Sequence, residues 1–475
     1  MLTSKDSTNI SFWLITIAIL LGLTLPVLIQ DGMFLDGVYY SCIAHNLSQG
    51  IGDFWFAIYS RMGQVSYAAF HEQPPLVFGI EALCYKLLGD SIYTERIYTF
   101  MTMVAAAWLI HKLWQELFKA DARLAPLSWL PILLWITMPI CFWSYRNNMC
   151  ENTMAVFALA AVWFLYRYIH YNNWWYVCIA AILIVAASLS KGPPGLFPIA
   201  TIAIAATIGG LIPIPRAIYA TCVLILIVVL CFMAILSLPH AADSLYIYFF
   251  KRLLGRVQAE PTVGSHWVTL VYIAQELITS VILLAIVAIL RKKRKKDWNA
   301  PTPHQSAWQL IVIGAAGTLP LMLTLVQKAF YMVAAMPYFA MGIAMWLAPA
   351  VHTGMEDYLS SRTPQRILRY IGTVALLFSI AMTAAMYGKT SRDTDVLHDV
   401  YTMGKVIGKH QSVMGYHNVC YDLVLENYLV RNFNIEIVLT DTPQYFIWAK
   451  NTEPAPPAPY QKVNLPLVKY ELYKR

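Results

Sequence analysis

Acids and bases able to do chemistry gather in a few short stretches of an otherwise apolar chain. "QDGMFLDGVYY" carries Asp31 and Asp36, and "FHEQPPL" carries His71 and Glu72. "SYRNNMCEN" holds Arg146 and Glu151, and "SKGPPG" holds Lys191. "YFFKRLLGRVQAEPTVGSHW" supplies Lys251, Arg252, Arg256, Glu260 and His266, and "VQKAFYMVAAMP" supplies Lys328 and Tyr331. Carboxylates can take a proton or orient a nucleophile, while Lys, Arg and His can meet the charge of an anionic ligand. Each stretch borders a long apolar run, where a charge is expensive to keep and so points to function.

The elements that must position these residues are membrane spans. The chain has 475 residues, 59% of them hydrophobic and only 13% charged, with a mean hydropathy of +0.55. A soluble fold of this length could not bury that much apolar surface. The formal charge of +8 is concentrated in one run, Arg291 to Lys296 (RKKRKK). A nucleic-acid binder spreads Lys and Arg along a face, so this block reads as a topology signal and nucleic acid is excluded as a partner. The eight cysteines contain no CxxC pair and most lie in or beside apolar runs, which argues against a disulfide framework or a zinc ribbon.

The run from Ser11 to Leu28 spans about 27 Å as a helix, has no small-residue cleavage site after it, and is expected to be a permanent first span. Further apolar segments lie near 94–112, 124–143, 152–168, 174–190, 195–212, 216–238, 267–290, 307–326, 330–348 and 368–387. Together they predict about eleven spans. The shorter Pro74–Leu88 segment carries Glu81 and Lys86 and reads as an interfacial or re-entrant helix. With a cytoplasmic N-terminus, RKKRKK falls inside, as the positive-inside rule requires, and the chemistry-bearing stretches fall outside. Basic residues outside run against that rule, and an anionic ligand is the natural reason. The expected fold is an all-α polytopic membrane domain over 1–388 and a small external α/β domain over 389–475. In the latter, "DVLHDVYTMGKVIGK" has helical spacing, "IEIVLT" has strand composition and "EPAPPAP" is a Pro-rich loop.

At these residues the chain resembles the membrane glycosyltransferases of GT-C fold that use polyprenyl-phosphate sugars, of the protein O-mannosyltransferase and lipid A aminoarabinose transferase type. "DGVYYSCIAHNL" is similar to that family's acidic motif after its first span, through Asp36, Tyr40, Ala44 and Asn46. "HEQPPL", "LLGDSIYTERIY" with Arg96, "LSKGPPGLFP" and "QKAFYMVAAMP" follow in family order between about 31 and 340. Gly37 stands where the family usually has Glu, and Gln73 where a Lys or His is common. The resemblance implies an inverting transfer of a sugar from a polyprenyl phosphate to a lipid, glycan or protein acceptor, in a bacterial cytoplasmic membrane, on the external face. It implies catalytic roles for Asp36, Glu72 and Glu151. Tyr40, Arg96, Lys191, Arg252, Arg256, His266, Lys328 and Tyr331 would bind substrate or phosphate.

Each residue also has a plainer reading. Asp36 could be a helix cap, Asp31 is a loop acid, Glu72 could sit before the Pro-Pro helix as a cap, and Glu151 could face a helix dipole. Lys191 could snorkel at the membrane edge, Lys251, Arg252 and Arg256 could bind anionic lipid generally, and Lys328 and Tyr331 could be interface anchors. Glu72 with His266 could hold a divalent metal, the one cofactor the residues suggest, although a lone His at a span entrance is more often a hydrogen-bonding residue. The rival function is a transporter or flippase of a polyprenyl-linked glycan, but that class favours internal repeats and mid-span charges, and neither is visible. A non-catalytic scaffold with a lipid-binding groove is a third reading, which an active Asp36→Asn variant would favour. Topology gives a first test: reporter fusions at Asn299 and Arg475 should lie on opposite sides of the membrane, and a shared side would make the span count wrong by an odd number.

Overall fold

The computed structural model describes residues 4–60, 69–255, 261–294, 303–358, 361–439, 442–452, 454 and 456–475. Arg256 and Glu260 lie outside the described residues. The chain forms two compact units. The first comprises Met1–Pro26, Phe100–Arg146 and Cys150–Ala385, and the second Val27–Thr99, Asn147–Met149 and Met386–Arg475.

Among the described residues, six helices are long and apolar enough to cross a membrane: Asn9–Leu28, Cys150–Tyr171, Ile214–Leu236, Val268–Ile289, His304–Leu323 and Arg362–Met386. The first unit packs Cys150–Tyr171 against Trp175–Lys191, and His304–Thr318 against Met336–Tyr358. Leu165, Ile184, Ile202 and Leu224 sit in its core, while Leu226, Met233, Ile282 and Phe378 point outward, as lipid-facing side chains do. The N-terminal helix lies close along Arg362–Met386. A Cβ at Gly22 would press on Ser379 and one at Gly372 on Leu14, and the Ser379 hydroxyl donates to the Ala18 carbonyl at 2.8 Å. Small residues at such a contact let two spans approach where lipid offers no hydrophobic drive.

Two apolar runs expected as continuous spans are instead broken. Residues 124–143 fold as a 3₁₀ turn Ala125–Ser128 and helices Trp129–Thr137 and Pro139–Ser144, with Met138 extended between them at ψ 126°. Pro139 supplies no N–H and forces the residue before it out of the helical region. Residues 195–212 fold as a 3₁₀ segment Pro193–Ala200 followed by a short helix Thr201–Thr207, because Pro193, Pro194 and Pro198 interrupt the ladder. Hydropathy reports burial, and proline decides continuity.

In the second unit, strands β1 (Ser412–Gly415), β2 (Glu436–Val438), β3 (Tyr445–Ala449), β4 (Gln461–Lys462) and β5 (Tyr470–Lys474) form a sheet of order β2-β1-β3-β5-β4. β1 runs parallel to β2 and β3, while β5 is antiparallel to β3 and β4. The expected tail helix is Thr394–Ile407, ended by Gly408 at φ 89°, and its buried Asp399 accepts the backbone N–H groups of Val468, Lys469 and Tyr470. Helix Leu423–Phe433 packs on helix Leu35–Ser48, which also packs on Leu76–Leu88. The last of these buries Val77, Phe78, Glu81, Ala82 and Tyr85 and exposes Leu83 and Leu87, the amphipathic split of an interfacial helix.

A buried charge network ties this unit together. The Arg431 guanidinium reaches Glu95 Oε2 at 2.9 Å, Asp90 Oδ1 at 3.0 Å and the Ser91 carbonyl at 2.9 Å, and lies 4.9 Å from the Tyr85 ring. His45 also meets Asp90 at 3.0 Å, and its hydrogen bond is the main cause that holds the Asp90 carboxyl well below the usual carboxylate range. Arg96 extends the chain of charges, at 3.2 Å from Glu95 and 3.4 Å from Asp31, whose other oxygen accepts from Tyr401 at 2.6 Å. Arg431→Met should therefore destabilise the protein by about 3–5 kcal/mol, since it removes from a buried network the cation shared by Glu95 and Asp90. Denaturant unfolding in detergent checks this, and a loss under about 1 kcal/mol, the range of an exposed pair, would contradict it.

Candidate active site

In the first unit the structure brings three expected residues together. Lys191 is the last residue of helix Trp175–Lys191, where a cation suits the negative helix end. The helix stops there because Gly192 takes φ 88°, donates to the Ser188 carbonyl and is followed by two prolines. Glu151 stands in the first turn of Cys150–Tyr171 and is fully buried. The Lys191 ammonium lies 3.0 Å from Glu151 Oε1 and 5.5 Å from the centre of the Tyr331 ring. The opposite charge and the aromatic face orient the ammonium of a side chain that is only 8% exposed.

Tyr248 was not singled out in the sequence, and no local signal marks it. Its hydroxyl donates to the Lys191 carbonyl at 3.3 Å and rests against Gly192, where a Cβ would collide with it. Tyr248 belongs to the π-helical segment Ile247–Leu253, so this contact fastens the segment that carries Lys251 and Arg252 to the Lys191 turn. Lys328 enters the 3₁₀ turn Ala329–Met332 in extended conformation, with its ammonium 5.6 Å from the Phe330 ring, which stacks on Trp143. His266 bonds elsewhere, to the Met322 carbonyl at 2.6 Å. Among the described residues no three His, Cys, Asp or Glu side chains gather as a metal-holding set.

In the second unit Asp36 is half-buried on the first turn of Leu35–Ser48. The entry to this helix is clamped. Phe34 N–H donates to Asn147 Oδ1 at 3.0 Å, and Asn427 Nδ2 donates to the Leu35 carbonyl at 3.2 Å. A Cβ at Gly37 would collide with the Asn147 carbonyl, so the side chain that is missing here is one the backbone approach forbids. Tyr40 is buried with its ring 5.8 Å from Phe78. Asn46 donates to the Ile58 and Tyr59 carbonyls at 3.1 and 2.7 Å, which pins the following loop. Glu72 is half-buried between His71 and the helix Leu76–Leu88, and His71 packs edge-on to Phe56 at 5.2 Å. Arg96, expected on substrate, is taken up inside the protein by the Gln30 and Ile92 carbonyls together with Glu95 and Asp31. Asp31 carries out the structural role expected of it.

The sequence points to Glu81 only as a mark of membrane depth and gives no sign of the Asn147–Asn148 pair. Asn148 has φ 44°, a left-handed conformation that Asn tolerates, and its amide donates to Ser41 Oγ at 3.0 Å and Glu81 Oε1 at 2.9 Å. It also accepts from Thr99 at 3.1 Å. One side chain thereby joins the Asp36 helix to Leu76–Leu88. Burial pushes the Glu81 carboxyl up to about 8, against the opposing effect of the Asn148 hydrogen bond. An acid alone in an apolar helix was the available signal.

The folded state therefore holds a Glu81 proton that the unfolded chain releases above the ordinary carboxylate range. This contribution to stability is full at low pH and is lost as pH rises towards about 8. Glu81→Gln should remove it, leaving stability near wild type at pH 5 and raising it relative to wild type at pH 8 by on the order of a few kcal/mol. Thermal unfolding of both proteins at the two pH values checks this, and parallel pH profiles would contradict it. Glu426, also buried and raised to about 8, keeps a residual slope in the variant.

Residues 72–237 match the family model described as dolichyl-phosphate-mannose-protein mannosyltransferase. A comparison with curated protein sequences gives no match. In structure the chain is similar to ArnT from Cupriavidus metallidurans bound to undecaprenyl phosphate, with a TM-score of 0.69 at 12% identity over 97% of each chain. The apo state of that protein gives a TM-score of 0.67 at 13% identity, over 96% of this chain and 95% of the other. The Archaeoglobus fulgidus oligosaccharyltransferase in its apo form gives 0.50 at 12% identity, over 91% of this chain and 65% of the other. The chain has the GT-C fold of a multi-span membrane protein with a small C-terminal sheet, and the family resemblance read from the motifs is borne out.

Proposed function

We propose that this protein is a glycosyltransferase that moves a sugar from a polyprenyl phosphate to a lipid, glycan or protein acceptor, inverting the anomeric centre. The observation that carries the reading is the buried Lys191–Glu151 pair under Tyr331, three motif residues from distant parts of the chain, in a GT-C fold. The similarity to a protein solved with undecaprenyl phosphate supports a donor of that class.

In this reading the acceptor attacks the anomeric carbon and loses a proton, which Asp36 accepts. The sugar–oxygen bond to the phosphate breaks, and the developing phosphate dianion needs cationic donors. Lys191 supplies the first, with Arg252, Arg256 and Lys328 as further cations and Tyr331 and Tyr40 lining the substrate. Glu151 aims Lys191, and Glu72 orients the acceptor. The reaction is proposed to run on the external face of a bacterial cytoplasmic membrane, with the sheet-bearing C-terminal region, 389–475, as an external domain.

Asp36→Asn should lower transfer by roughly 10²–10⁴-fold, the usual loss for a general base, and leave donor binding intact. Asp31→Asn should keep most activity once expression is matched. Lys191→Ala should weaken binding of the polyprenyl phosphate itself. Transfer from a labelled polyprenyl-phosphate sugar in membranes is the measurement. Normal turnover by Asp36→Asn beside a dead Asp31→Asn would name the wrong aspartate, and full activity in both would remove the proposed chemistry.

A further inference from the structure

The far end of the helix pair that carries Glu151 and Lys191 presents a second cationic site with no part in the proposed transfer. Helix Cys150–Tyr171 ends there, Asn172 turns the chain at φ 54°, and Trp175–Lys191 begins. Helix Ile214–Leu236 starts beside them after Pro213, with Arg216 in its first turn. A cation at the positive end of a 23-residue helix opposes the helix dipole. Among the described residues no carboxylate pairs with Arg216; its guanidinium instead lies 5.8 Å from the ring of Tyr168. Arg216 Nη2 and the Tyr168 hydroxyl are both shielded from solvent and both lack a hydrogen-bond partner, and Tyr168 is fully buried.

An uncompensated cation with one orphaned donor at a helix N-terminus, next to a second orphaned donor on Tyr168, suits an anion with at least two acceptor oxygens. The surroundings identify its source. Trp174 packs on Tyr168 at 5.0 Å and on Tyr219 at 5.6 Å, and Trp175, Ile214, Ile218 and Tyr219 are all exposed. Amphipathic aromatics beside outward aliphatic side chains, at the shared end of three apolar helices, mark the depth of lipid headgroups. We infer that Arg216 and Tyr168 form a binding site for the phosphate of an anionic phospholipid. Such a lipid would fix the ends of the helices whose opposite ends hold Lys191 and Glu151.

The test is native mass spectrometry of the detergent-purified protein titrated with phosphatidylglycerol, with phosphatidylcholine of the same acyl chains, or with inorganic phosphate. Phosphatidylglycerol should bind in preference to phosphatidylcholine. Arg216→Gln should weaken that binding about tenfold or more, as for loss of a charge-assisted contact. Arg216→Lys should retain part of it, and Tyr168→Phe should lose several-fold. Lys405→Gln, which removes a surface charge from the other unit, should change nothing. Equal phosphatidylglycerol occupancy in the wild type and Arg216→Gln overturns the site, and displacement by inorganic phosphate at matched concentration overturns the lipid assignment. If Arg216→Gln does not fold, Tyr168→Phe, which deletes a single oxygen, decides: undiminished binding overturns the proposal.

Discussion

The second unit depends on one guanidinium. Arg431, almost wholly buried in the C-terminal helix Leu423–Phe433, neutralises Glu95 and Asp90 together, and Glu95 in turn holds Arg96, which holds Asp31. Burying that many charges is favourable only while each keeps a partner, because desolvation is as large as the attraction it must offset. The network runs unbroken from Asp31 through Arg96 and Glu95 to Arg431. It fixes the loop after the first span, the start of helix Thr94–Leu117 and the C-terminal helix against one another, and Tyr428 and Asn427 complete the clamp by bonding Met33 and Leu35. Asp36 follows directly, so its helix is aimed by contacts none of which involve its own side chain.

The first unit solves a different problem, that of holding a lysine beside a carboxylate among apolar spans. Helix ends do most of the work. Gly192 and the prolines after it stop a helix at Lys191, the fold of Cys150–Tyr171 starts one at Glu151, and the two ends meet at 3.0 Å. Proline recurs as the device that makes irregular backbone at such places. The broken segments 124–143 and 193–207 are both proline-punctuated. Irregular backbone inside a membrane protein is tolerated where it is enclosed by protein.

What was legible in the sequence was local. Apolar run length located the helices Cys150–Tyr171, Ile214–Leu236 and Val268–Ile289 but not the proline breaks within 124–143 and 195–212, and the interfacial reading of Leu76–Leu88 followed from its shortness and its Glu81 and Lys86. The tail's helix and one of its five strands, β2, were visible in period and composition. The unreadable part was pairing over distance. Glu81 and Asn148 are separated by 67 positions, and Glu95 and Arg431 by 336. Glu81 looked like evidence about membrane depth, Arg96 like a phosphate ligand and Tyr248 carried no signal, because the partner that defines each is supplied by another segment. Gly37 is the instructive case: it read as a departure from a motif, and the close Asn147 carbonyl gives it a steric reason.

The central claim is that the protein breaks the bond between a sugar and a polyprenyl phosphate. The most direct measurement uses purified protein in sealed vesicles with a doubly labelled donor, one label on the sugar and one on the lipid phosphate, plus a membrane extract as acceptor. The account predicts one free polyprenyl phosphate for each sugar transferred, with the anomeric configuration of the product inverted. Movement of the intact lipid-linked sugar from one leaflet to the other, with the two labels never separating, would contradict it.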